Sequence, residues 1–269
     1  MNLSDLEDVS PITELGGDRF GIQGDTATGK STLAANIALS YGGPVLYFIL
    51  DPNVKYLGNN IPKDAPISWI KLGLKQDATL GDKQEMLKKI NVAWNGFLSS
   101  EPSSKWGEPF KAVVWDTHTL LWDFIGPTKV AERIAKSKNP NRDANQMDWG
   151  DANSWMSSLS TQQDVYRPDS CMIFLLHEKN KYVQDERGQW VESNIVIPDA
   201  WKHTKKHVQV YIRLYRKLKG LGRDGKEKPN VRTGILEKFS PDEDVIRRLG
   251  EIAEPEYSDF IELLGGYKN

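Results

Sequence analysis

Residues 24–31 read GDTATGKS, an uninterrupted match to the pattern G-x-x-x-x-G-K-[ST]. That spacing puts glycine where a backbone must approach a phosphate closely. It puts a lysine where a cation meets the outer oxygens, and a hydroxyl where a divalent cation can be ligated. A short apolar run precedes the segment and an amphipathic run follows it, so its amides lie at a helix N-terminus, which favours anions. The candidate binding residues are Gly24, Asp25, Thr26, Ala27, Thr28, Gly29, Lys30, Ser31 and Thr32. The chemistry implied is binding of a nucleoside triphosphate, ATP by default, together with Mg2+.

Such a site also needs a carboxylate for the metal or its water shell. Asp116 ends the apolar run AVVW, and with Ser31 it forms the candidate metal pair. Asp51 ends VLYFIL. It is a candidate for orienting the attacking water, although an Asp-Pro turn is the competing reading. His177 and Glu178 follow the run 172–176, where a polar side chain can touch the γ-phosphate; a core histidine or a surface turn is the alternative there. Lys30, Asp51, Asp116, His177 and Glu178 make up the candidate catalytic set. The acidic and polar members lie at strand C-termini, where ligands bind in open α/β sheets.

The elements that must position these residues follow from the hydrophobic pattern. Segments 20–22, 45–50, 112–115 and 172–176 are apolar nearly throughout, as expected of parallel strands covered on both faces. A fifth run, 67–72, is interrupted by Lys71. Helices are predicted over 31–41, 82–99 and about 145–166, with Asp82 and Glu85 resembling a capping pair. Strands alternating with helices predict an α/β fold with right-handed crossovers. The last third changes character. A hairpin is expected around 185–188, then strands over 208–218 and 231–236, forming an antiparallel appendage. The whole chain reads as one domain, with an arm at 1–15, a parallel core at 16–180, a basic antiparallel extension at 181–240 and an acidic tail at 241–269.

The 269 residues include 39% hydrophobic and 27% charged side chains, enough for a sizeable core, and the net charge is only -2. Charge is nevertheless segregated. Residues 202–232 hold eleven Lys or Arg against the two acids Asp224 and Glu227. In an extended strand Tyr211, Arg213, Tyr215 and Lys217 share one face, and Lys219 and Arg223 follow. Aromatic and cationic residues in alternation suit base stacking and phosphate neutralisation on single-stranded DNA. A solvated strand face is the plainer reading. A third reading sends Arg213, Arg216 or Lys217 into a neighbouring subunit's site as an arginine finger. The single cysteine, Cys171, suits a reducing compartment. With no signal-peptide pattern at the start and no apolar run near the ~20 residues that span a bilayer, a cytoplasmic protein without a membrane partner is expected.

The blocks FGIQGDTATGKSTLAANIA, VLYFILDPN, AVVWDTHTLL and MIFLLHEKN occur in an order and spacing similar to RecA-like P-loop ATPases. The likeness covers about residues 15–240 and is greatest to short phage-encoded members, some of which are single-strand annealing or recombination ATPases. The resemblance implies a RecA-like core with a mainly parallel sheet flanked by helices, in which the strand leading to His177 lies beside those leading to Lys30 and Asp116. It also implies ATP, Mg2+, and a homo-oligomeric ring or filament with nucleotide at the subunit interface. A single-strand-binding protein is an implied further partner, and the host cytoplasm an implied location. The sequence departs from the pattern where a glutamate usually follows the second strand: here stand Asp51, Pro52 and Asn53. His177 replaces the usual glutamine, and no N-terminal oligomerisation domain is expected. A nucleotide-gated assembly module with slow hydrolysis, or a P-loop phosphotransferase, are the alternative functions.

Overall fold

Strands that are apolar on both sides need helices over both faces, and the computed structural model has that arrangement. It describes residues 17–260 apart from 52–56, 58, 59, 74–77, 186, 240–245, 247–249 and 257. The expected arm at 1–15, Pro52 and Asn53, and much of the acidic tail lie outside the described residues. The strands are β1 (Asp18–Gly24), β2 (Val45–Ile49), β3 (Ile67–Lys71), β4 (Ala112–Asp116), β5 (Cys171–Gln184), β6 (Trp190–Asp199), β7 (Val210–Leu221), β8 (Glu227–Phe239) and β9 (Glu251–Ala253). The helices are α1 (Lys30–Leu39), α2 (Leu80–Leu98), α3 (His118–Ala135) and α4 (Gly150–Tyr166).

The sheet runs in the order β3-β2-β4-β5-β1-β7-β8-β9, with β6 paired to β5. The pairings among β3, β2, β4, β5, β1 and β7 are parallel, while β8, β9 and β6 join antiparallel. The strand leading to His177 thus lies between those leading to Lys30 and Asp116, as expected. Alternate residues feed two cores. Phe20, Ile22, Val45, Tyr47, Val114, Ile173 and Ile212 pack with α1 on one face. Phe48, Trp115, Phe174 and Leu176 pack with Trp94, Phe97, Leu121 and Met156 on the other. Among the described residues no helix is long and apolar enough to cross a membrane.

Three expectations are corrected. First, β7 is not part of an appendage: it pairs parallel with β1 from Phe20↔Val210 to Gly24↔Leu214, so this strand of the basic extension belongs to the central sheet. Second, β5 does not stop at Leu176 but runs on through His177 and Glu178 into the β5–β6 hairpin. Third, α3 was not among the expected helices; Gly126 and Pro127 lie inside it. A Cβ on Gly126 would come within 2.8 Å of the Trp149 ring, so the glycine admits that close packing. The Thr117 hydroxyl accepts a hydrogen bond from Leu120 N at 3.3 Å and caps α3. The hairpin turn is as expected: Gly188 N donates to the Asp185 carbonyl oxygen at 2.9 Å, with Gly188 at φ 74°. The cap of α2 is a Thr79–Asp82 box rather than an Asp82–Glu85 pair.

Candidate functional site

The parallel register brings four strand ends to one edge. Gln23 of β1 stands beside Leu176 of β5, and Ile49 of β2 beside Asp116 of β4. The polar residues that follow therefore converge, as expected at the carboxyl ends of an open sheet. They border a cavity of about 570 Å³ whose walls include Lys30, Ser31, Asp51, Asp116, His177, Arg216 and Arg232.

The loop from β1 to α1 is open to an anion. A Cβ on Gly24 would lie 2.5 Å from the Leu214 carbonyl oxygen, so only glycine lets β7 run alongside. Gly29 precedes α1 in the left-handed region, φ 89°, and supplies no side-chain cap, which leaves the first-turn amides available to a ligand. The Lys30 ammonium donates to the carbonyl oxygens of Gly24 and Asp25, both at 2.7 Å. The Thr28 hydroxyl donates to the Asp25 carbonyl at 2.8 Å, and Thr26 N donates to the Asp25 carboxylate at 2.6 Å. Thr26, Ala27, Thr28, Gly29, Lys30, Ser31 and Thr32 line the cavity, while Gly24 and Asp25 form the base of the loop. Burial lowers the Lys30 pKa, against the opposing effect of Asp116, Asp25, Glu178 and Asp51.

Asp116 is 1% exposed. Its Oδ2 accepts from the Tyr47 hydroxyl at 2.7 Å, and the Ser31 hydroxyl also bonds to it. Burial raises its pKa to about 6 in spite of those two bonds and Lys30. A desolvated carboxylate beside a hydroxyl is a hard-oxygen donor pair. It suits Mg2+, which takes one or two protein oxygens and completes its shell with water and phosphate. Among the described residues no group of three or more His, Cys, Asp and Glu forms a metal cage, so Ser31 and Asp116 are the residues that fit the cation. Across the cavity, His177 Nε2 lies 3.5 Å from Asp51 Oδ2. Burial and Lys30 lower the His177 pKa from its ordinary value, against the opposing effect of Asp51, Asp199 and Asp25.

Glu178 is placed differently from the sequence expectation. Its Oε1 accepts from Gln23 Nε2 at 2.9 Å and from Arg213 Nε at 2.8 Å, while the Tyr211 hydroxyl donates to Gln23 Oε1 at 2.6 Å. Glu178 is a tie between β5, β1 and β7, and does not line the cavity.

The expected DNA-binding face is also corrected. Tyr211 is 0% exposed, because β7 lies inside the sheet and its ring faces the helical layer. Arg213 is tied to Glu178. Tyr215 and Lys217 both bond Glu251 of β9, and Arg223 bonds Asp259 at 2.9 Å and 3.0 Å. Lys219 is exposed on β7. The acidic residues that neutralise this face lie 34 or more positions away in the chain, so counting charge between 202 and 232 could not reveal them. Sequence reasoning also missed Tyr47, a lone hydroxyl in an apolar strand, and Thr119, whose hydroxyl accepts from His177 N at 3.0 Å. The place of Arg232 at the cavity had no local signal.

A family model described as AAA domain matches residues 17–214. No curated protein matches the sequence. Among solved structures, the chain is similar to a prototypical ATPase from the type III secretion system of pathogenic bacteria, at 14% identity and a TM-score of 0.49. That alignment covers 77% of this chain and 56% of the other, so this chain spans little more than half of that one's length. It is also similar to the RadB recombinase, at 11% identity and a TM-score of 0.43, over 84% of this chain and 82% of the other.

Proposed function

Because the chain belongs to the AAA domain family, whose model covers residues 17–214, we propose that it is a Mg2+-dependent, RecA-like ATPase that acts on single-stranded DNA in recombination or annealing. One observation carries the ATPase part: Lys30 and Ser31 share a cavity with Asp116, Asp51 and His177. Lys30 exchanges its two loop carbonyls for phosphate oxygens, and the amides of the loop surround the phosphate chain. Mg2+ held by Ser31 and Asp116 would neutralise charge on the outer phosphate oxygens. Asp51 and His177 are in direct contact at 3.5 Å on the cavity wall, and in this reading the Asp51 carboxylate, held by His177, orients an attacking water that sits in the cavity beside them. Phosphoryl transfer needs mainly such positioning and charge stabilisation.

The DNA part of the proposal moves from β7 to the β5–β6 hairpin. Gln184 pairs with Trp190 and Tyr182 with Glu192, which puts both rings on the same side of the hairpin, Tyr182 at 59% and Trp190 at 68% exposure. Exposed aromatic rings are platforms on which bases stack, each worth about 1–3 kcal/mol. Lys181 and Arg187 add exposed cations on the same hairpin. The hairpin is continuous with the segment carrying His177, so a change at the phosphate end has a direct mechanical route to it. Fluorescence anisotropy with an oligothymidylate tests this reading beside a phosphate-release assay. Wild type should hydrolyse ATP and bind the oligonucleotide, and Tyr182→Ala with Trp190→Ala should lose binding but keep basal hydrolysis. A double variant that binds like wild type removes the hairpin from the account, and a wild type that releases no phosphate removes the ATPase.

A further inference from the structure

Several cations of β7, β8 and the turn between them have a carboxylate partner: Arg213 has Glu178, Lys217 has Glu251, Arg223 has Asp259 and Lys228 has Glu254. The two arginines that line the phosphate cavity do not. Arg216 donates through Nε at 3.1 Å and through Nη2 at 2.6 Å to the carbonyl oxygen of Ala27, at the apex of the loop. Arg232 donates through Nη2 to the carbonyl oxygen of Pro255 at 2.8 Å. Among the described residues neither forms an ion pair. Arg216 and Arg232 also stand directly opposite each other in the β7–β8 register, a placement of like charges that destabilises a sheet. The Arg232 guanidinium is pressed against the loop, its Nη1 only 2.8 Å from where a Cβ on Gly29 would be.

Glu254 and Glu256 act on Arg232 only from beyond ion-pair contact, and burial outweighs them; a half-buried guanidinium with no carboxylate in contact is costly unless an anion arrives to pair with it. Five N–H donors on a planar fork match phosphate oxygens two at a time, and Arg232 spends one of its five on Pro255. The anion that belongs in this cavity is the phosphate chain of the nucleotide.

Resting on the ATPase reading above, we propose that Arg232 is a nucleotide-binding residue acting within its own subunit, and that Arg216 is a latch that holds the loop at Ala27 until phosphate draws it away. Arg232 meets the phosphates from the β8 side of the loop and neutralises charge that Lys30 alone leaves uncompensated. This role differs from an arginine finger, which enters a neighbour's site. Arg232 also brings the C-terminal segment to the nucleotide: Glu254 N donates to the Arg232 carbonyl oxygen at 2.7 Å, and Pro255 accepts from its side chain. Binding of phosphate by Arg232 therefore bears directly on how residues 254 and 255 are held.

The test is a fluorescent ATP analogue titrated, with Mg2+, into wild type, Arg232→Ala, Arg232→Lys and Arg216→Ala, with Lys30→Ala as the reference for a disabled loop. Arg232→Ala should weaken binding roughly tenfold or more, the scale of a lost charge-assisted bond. Arg232→Lys should fall between it and wild type, because charge remains and the fork does not. Arg216→Ala should bind the analogue at least as tightly as wild type, since the latch on Ala27 is gone. Should Arg232→Ala fail to fold, Arg232→Lys decides. The proposal is overturned if the folded Arg232 variants bind like wild type while Lys30→Ala does not. A wild type that binds no analogue refutes instead the ATPase reading on which the proposal rests. To separate action within a subunit from action between subunits, Arg232→Ala is mixed with Lys30→Ala. Failure of the mixture to restore high-affinity sites supports action within the subunit, and recovery contradicts it.

Discussion

His177 Nε2 stands 3.5 Å from Asp51 Oδ2, and both side chains border the cavity that also holds Lys30 and Ser31. They come from different strands: Asp51 follows β2, and His177 continues β5 beyond its parallel partner β1. Thr119, near the start of α3, accepts a hydrogen bond from His177 N and fixes the backbone there. Geometry alone thus pairs a carboxylate with an imidazole where the chain has no glutamate after β2.

Asp51→Asn should therefore lower kcat about a hundredfold or more while leaving KM for ATP within a few fold, because it removes water orientation and not phosphate binding. His177→Ala should show a smaller fall of the same kind. Steady-state phosphate release measures both. An Asp51→Asn enzyme with unchanged kcat takes Asp51 out of the chemistry.

Glu178 serves the sheet. Removing its charge with Glu178→Gln leaves Arg213 part-buried without its partner, and weakens the tie among β1, β5 and β7. A cost of about 1–3 kcal/mol is expected. Thermal unfolding should show a drop of several degrees, about 2–4 °C for each kcal/mol in a domain of this size, with no change in the nucleotide concentration at half saturation once the protein is folded.

His118 supplies the pH dependence of stability. It is 1% exposed, packs against Phe174 with ring centroids 4.4 Å apart, and lies 3.3 Å from the Thr204 hydroxyl. Burial, aided by His207, depresses its pKa to about 3, well below the 6.5 of a free imidazole. A depressed folded pKa means that the unfolded chain binds the proton first. The contribution of His118 is thus fully present above about pH 6.5 and is lost progressively as pH falls toward 3. Chemical denaturation between pH 7 and pH 5 should show wild type losing roughly 2 kcal/mol from this residue. In His118→Phe that part of the slope should vanish. Equal slopes in the two proteins would show that His118 does not stay neutral in the fold.

Glu251 covers the basic face of β7. It bonds both Tyr215 and Lys217, and the Tyr215 hydroxyl is pushed up to about 12, first by burial and then by Glu251. Glu251→Gln should raise affinity for single-stranded DNA a few fold at low salt, and the gain should disappear at high salt, as expected of an exposed charge. Anisotropy at two ionic strengths measures it. A gain that persists at high salt would mean that Glu251 does more than mask charge.

The sequence made the phosphate loop, Asp116 and the parallel strands legible because each is local: a fixed spacing, a strand end, an uninterrupted apolar run. The β5–β6 hairpin was legible for the same reason. What it hid depends on contacts made far along the chain. Tyr211 looked like a surface residue by alternation, but alternation gives solvent only to a strand with one bare face, and β7 has β1 on one side and helices above. The charge of Lys217 and Arg223 looked available, but Glu251 and Asp259 return to meet them. Helix α3 holds Gly126 and Pro127, residues that ordinarily end helices, and Gly126 here admits Trp149. Arg232 reached the cavity only through the register of β8 on β7.

Calorimetric titration of a non-hydrolysable ATP analogue into wild type and Lys30→Ala, each with Mg2+ and with a chelator, bears most directly on the claim that residues 24–31 and Asp116 enclose a Mg2+-bound triphosphate. The account predicts one saturable site per chain in wild type, weakened by the chelator and weakened about a hundredfold or more by Lys30→Ala. A wild type that takes up no analogue, or a Lys30→Ala protein that binds it as tightly as wild type, would contradict it.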